Sequence, residues 1–71
     1  MMIEEKLKQA LEDGNVDVNK LIEEILKEDL YALGFPVSPN ARRRYDYFGE
    51  IFEVIIRDDY LLINNKKFPR N

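Results

Sequence analysis

The chain has 71 residues, a formal net charge of −3, and neither cysteine nor histidine. Those absences exclude disulfides, thiolate metal sites, a thiol nucleophile and imidazole acid–base chemistry. A chain this short makes one domain with a thin core, burying only about 60% of the surface its unfolded form exposes, so pairing with another molecule is a natural remedy.

Hydrophobic residues at 45% and charged ones at 35% suit a folded globule rather than a disordered chain. Charge is uneven: residues 1–30 carry nine acidic and four basic side chains, and residues 31–71 carry five acidic and seven basic. An acidic half and a mildly basic half attract each other within one molecule or between copies. The opening MMIEEKLKQ lacks the basic and then apolar run of a signal peptide, and no apolar stretch reaches bilayer length. The expectation is a soluble, cytoplasmic protein.

Ile3, Leu7, Ala10 and Leu11 recur at the spacing of one helical face, and Asp13-Gly14-Asn15 stops that helix. Asp17 or Asn15 caps a second, longer helix, whose apolar stripe runs through Val18, Leu21, Ile22, Ile25, Leu26, Leu30 and Leu33. Gly34 ends it, with Phe35 placed to fold back on Leu30 in a Schellman ending and Pro36 forbidding continuation. The two helices make an antiparallel hairpin over residues 1–34, followed by a Pro/Arg-rich connector over 35–44.

Residues 45–69 read as a β-meander of three strands. The first runs from Tyr45 to Arg57 with Gly49 marking a bend in it, Asp58-Asp59 turns the chain, YLLI is the second strand, Asn64-Asn65 turns again, and KKF is the third. The fold class is therefore α+β, a single domain of helical hairpin packed on a three-stranded antiparallel meander. If Arg57 and Tyr60 flank the first turn, Ile56 pairs with Leu61, Ile55 with Leu62 and Val54 with Ile63. One face then carries Phe52, Val54, Ile56, Leu61, Ile63 and Phe68 and needs the helices. The other carries Ile51, Ile55, Tyr60 and Leu62 between Glu53, Arg57 and Lys67. An antiparallel sheet with one wet side shows polar residues there, so this second apolar face marks self-association, with a homodimer the expected form.

Asp13, Asn15, Asp17 and Glu24 fall at oxygen-ligand positions of a calcium loop, but Val18 occupies the position that a sharp turn reserves for glycine. A helix–helix turn with a capping aspartate is the better reading, and no metal or other cofactor is expected. Arg42, Arg43 and Arg44, followed by Tyr45, Tyr47 and Phe48, resemble the cation-plus-aromatic surface that takes single-stranded nucleic acid, and Lys66, Lys67 and Arg70 supply a second basic cluster. An acidic chain with pI near 4.9 weighs against that role, and Tyr45 and Tyr47 are expected on the same strand face as Ile51. Glu53, Asp58 and Asp59 are the carboxylates a magnesium-dependent enzyme would use, with solvated strand and turn acids as the plainer reading. Non-enzymatic binding of a macromolecular partner, a protein, comes first, nucleic-acid binding second and an enzyme a distant third.

Overall fold

The computed structural model describes residues 2–71 and bears out the α+β architecture, with four strands instead of three: α1 (Ile3–Asp13), α2 (Val18–Leu33), β1 (Arg43–Tyr47), β2 (Glu50–Ile56), β3 (Tyr60–Ile63) and β4 (Lys66–Pro69). Ile3, Leu7 and Ala10 of α1 and Val18, Leu21, Ile22 and Ile25 of α2 are buried, as their spacing requires. The Asp17 carboxylate accepts the Lys20 N–H at 3.2 Å and so caps α2. Lys6 pairs with Glu24 at 2.6 Å across the antiparallel helices.

At the far end of α2, Gly34 is left-handed (φ 77°) and its N–H reaches the Leu30 carbonyl at 2.8 Å. That single bond is the αL ending and not the Schellman form. Leu30 and Leu33 are 49% and 54% exposed, so the apolar stripe runs on to Leu33, well past Leu26, the last of its members packed on the core. Helix α2 crosses the sheet from the β4 end, where Asn19 donates to the Asn71 carbonyl, to β1, where Asp29 meets Arg43. Its last turns project beyond that packing.

The sheet has the order β1-β2-β3-β4, every neighbour antiparallel. The expected pairing of β2 with β3 holds residue for residue: Val54 with Ile63, Ile55 with Leu62, Ile56 with Leu61. The single strand from Tyr45 to Arg57 does not hold. The chain reverses at Phe48-Gly49, both left-handed (φ 50° and 85°), which is the type I′ geometry that matches strand twist. Asp46 Oδ1 accepts the Gly49 N–H at 3.0 Å and closes the turn. A two-residue reversal shifts strand parity, so Tyr45 lies opposite Phe52 and not beside Ile51. Tyr45 and Tyr47 consequently pack against the core.

The helices cover the face made by Phe52, Val54, Ile56, Leu61, Ile63 and Phe68, all buried. Each such side chain contributes about 1.5–3 kcal/mol relative to exposure. Lys8 ties α1 to the start of β2 through Glu50 at 2.9 Å.

Phe48 holds a left-handed backbone that costs an L-residue roughly 1–2 kcal/mol, while its ring is 93% exposed and touches Tyr47 edge-on. Phe48→Asn should therefore stabilise the fold by about 0.5–1 kcal/mol in urea unfolding, since Asn tolerates that region. A loss of stability would mean that the ring contributes more to the fold than its exposure implies.

Candidate functional site

Alternation along the strands sends one set of side chains away from the helices. Arg44 and Asp46 of β1, Ile51, Glu53 and Ile55 of β2, Tyr60 and Leu62 of β3 and Lys67 of β4 share this open face. Ile51, Ile55, Tyr60 and Leu62 are half-buried and form its centre. Lys67 lies over the Tyr60 ring at 4.4 Å, a contact of cation and aromatic face. Arg42, just before β1, pairs with Glu53 at 3.2 Å. With Ile55, Leu62, Asn64 and Asn65 they line a depression of about 80 Å³, well short of the roughly 300 Å³ at which small-molecule pockets begin. The face is an open platform with an apolar middle and a charged rim.

The arginine cluster divides. Arg43 sits opposite Val54, and that parity turns it inward to 7% exposure. Its Nε donates to Asp29 at 2.7 Å, Nη1 to the Pro39 and Ala41 carbonyls at 2.8 and 3.1 Å, and Nη2 to the Ser38 carbonyl at 3.1 Å. One planar guanidinium thus fastens the connector to α2 and to the sheet. It is a staple, not a ligand-facing group; Arg42 and Arg44 remain outside.

The second basic cluster divides too. Lys67 is on the open face, Lys66 is on the opposite one with its ammonium over the Phe68 ring, and Arg70 donates to the Arg57 carbonyl. Strands β1 and β4 are the two sheet edges, about 14 Å apart across three strand spacings. The two clusters form no continuous stripe; they flank the apolar centre instead.

The carboxylates do not converge. Glu53 belongs to Arg42, and Asp58 and Asp59 lie in the β2–β3 turn, about 16 Å further along the strand direction. In the calcium-like segment, Asp13 accepts the Asn15 N–H, Asp17 caps α2 and Glu24 holds Lys6. No group of three or more acidic side chains that could hold a metal ion occurs among the described residues. Burial, then the Asp29 and Glu28 carboxylates, raises the Tyr45 phenol well above its ordinary range, so it stays neutral and serves as packing. Among the described residues no helix is long and apolar enough to cross a membrane.

Two features escape sequence reasoning. One is Phe48, exposed at the tip of the β1–β2 hairpin. The other is the end of α2, where Tyr31 is 92% exposed beside Leu30, Leu33 and Phe35. Gly49, three residues after Asp46, was the available signal for the first; helical periodicity carries no signal for where a sheet ceases to cover a helix.

Two expectations follow. Arg43→Met should cost about 2–4 kcal/mol in urea unfolding, because Asp29 and three carbonyls lose their donor together; a change below about 0.5 kcal/mol would contradict the staple. Burial, then the Glu4 and Asp29 carboxylates, raises the Glu28 carboxyl above its ordinary 4.5. The folded state therefore holds that proton more tightly than the unfolded one, and stability is lost as pH rises from the ordinary value through the raised one. Glu28→Gln should raise the melting temperature near pH 7 and give no such gain near about pH 3; equal shifts at both would refute the assignment.

Comparison of the chain with models of known protein families, with curated proteins and with solved structures finds no match in any of the three.

Proposed function

We propose that the protein is a small, non-catalytic cytoplasmic interaction module that self-associates through its sheet and binds a protein partner. The observation that carries this reading is one-sided coverage. The helices pack on one face, and the other presents Ile51, Ile55, Leu62 and Tyr60 at its middle. An apolar centre with a charged rim of Arg42, Arg44 and Lys67 is the anatomy of a protein interface. The rim carries both signs, with Asp46 and Glu53 beside Arg42, Arg44 and Lys67, and so favours a partner surface of mixed charge.

Catalysis lacks its parts: histidine and cysteine are missing, the carboxylates lie apart, and Tyr45 is held neutral. Nucleic-acid binding has the outward cations in its favour. Against it stand the inward Arg43, the occupation of Tyr60 by Lys67 and a net charge of −3.

Ile55→Lys and Leu62→Lys place a charge in the centre of the open face, where long stems reach water without disturbing the core. Each should keep the far-UV circular dichroism of the parent and release a protein that co-purifies with it. Retention of that protein by both variants would contradict the reading. A labelled single-stranded oligonucleotide should show no binding that steepens as salt is lowered, and such binding, weakened by Arg42→Ala and Arg44→Ala, would favour the nucleic-acid alternative.

A further inference from the structure

The two edges of the sheet differ. Just past β3, the Asn64 N–H reaches the Glu53 carbonyl at 2.9 Å and the Glu53 N–H reaches Asn64 Oδ1 at 2.8 Å, so the backbone polar groups of Glu53 face the β3 side. Antiparallel ladders alternate. Arg44, opposite Glu53, is thus in a pair without hydrogen bonds, and its own N–H and carbonyl, with those of Asp46, point away from β2 to the free edge. On the other side, the pair Ile63–Lys66 closes a two-residue turn, which leaves Lys67 and Pro69 pointing outward. Proline has no N–H and lysine resists an added strand, so the β4 edge is blunted. The β1 edge has no proline, and its two outward positions carry opposite charges, Arg44 and Asp46, which repel an added strand only in registers that set like against like.

The exposed apolar residues are as lopsided as the edges. Leu30, Tyr31, Leu33 and Phe35 lie at the end of α2, Phe48 is at the tip of the hairpin that β1 opens, and Met2 precedes α1. A groove of about 320 Å³ runs between Glu28, Ala32 and Leu33 on α2 and Arg44 and Tyr45 on β1. Through Leu33 the groove joins the exposed end of α2 to the free edge.

We propose that the occupant of this edge is a second copy of the chain, its β1 antiparallel to the first about a twofold axis at Tyr45, joining two sheets into one of eight strands. The register follows from charge. With the axis at Tyr45, Arg44 faces the partner's Asp46, and Asp46 faces the partner's Arg44. Moving the axis to Arg44 sets guanidinium against guanidinium; moving it to Asp46 sets carboxylate against carboxylate. Opposite charges in directly facing positions stabilise a strand pair and like charges destabilise it. Arg44 is available for this, since among the described residues it makes no ion pair and Glu53, opposite it, is held by Arg42. The outward N–H and carbonyl groups of Arg44 and Asp46 meet in the same register as the charges. The inference specifies the self-association in the proposed function and leaves the open face free for the partner, now doubled in width.

Sedimentation equilibrium over a dilution series tests it. The wild-type chain should be dimeric. Arg44→Glu and Asp46→Lys should each weaken the dimer about tenfold or more, by setting like charges opposite one another twice. An equimolar mixture of the two variants restores opposite charges at both positions and should recover a one-to-one heterodimer, a rescue that misfolded variants cannot give. A mixture that associates no more tightly than either variant alone overturns the proposal. A dimer lost on Ile55→Lys yet indifferent to Arg44→Glu and Asp46→Lys overturns the edge while leaving self-association through the open face. A chain that is monomeric at every concentration overturns both.

Discussion

Two helices, of 11 and 16 residues, have to seal a four-stranded sheet, and they can do so on one side only. The other organisation of the molecule follows from that shortage of cover. Phe52, Val54, Ile56, Leu61, Ile63 and Phe68 lie under the helices, with Tyr45 and Tyr47 packed beside them. Ile51, Ile55 and Leu62 are left with their strand neighbours and with the stems of charged side chains. A chain of this size has no third layer to add, so no helix covers the second face.

The diagonal course of α2 has its own consequence. Because the helix spans from the β4 end to β1, its last turns leave the sheet on the β1 side, and its end exposes Leu30, Tyr31 and Leu33 there. The Arg43 guanidinium makes this arrangement stable. It binds Asp29 of the helix and three carbonyls of the connector at once, holding the irregular segment to the helix and the sheet. The fold and its overhanging end are thus linked through one side chain.

Much of this was legible in the sequence. Periodicity located both helices, Gly14 and Gly34 ended them, and the alternation from Phe52 to Ile63 identified the core face and the register of β2 and β3. The break at Phe48-Gly49 was not legible, because a bulky aromatic in a left-handed turn runs against the preference that makes such turns recognisable. One missed reversal propagated: it inverted the faces of Tyr45 and Tyr47, and with them Arg43, which moved from a basic surface to the interior. The run of three arginines is one composition with two fates, and only strand parity separates them. Local rules tend to fail where function or contact overrides them, and Phe48 lies beside the edge at which we place the second copy.

Methyl relaxation by a soluble paramagnetic agent distinguishes a sheet that helices seal on one face from one sealed on both. In dilute solution the methyl signals of Ile51, Ile55 and Leu62 should broaden strongly while those of Val54, Leu61 and Ile63 stay sharp. If Ile55 and Leu62 were as protected as Leu61 at the lowest concentration measured, both faces would be sealed within one chain, and the account would be wrong at its base.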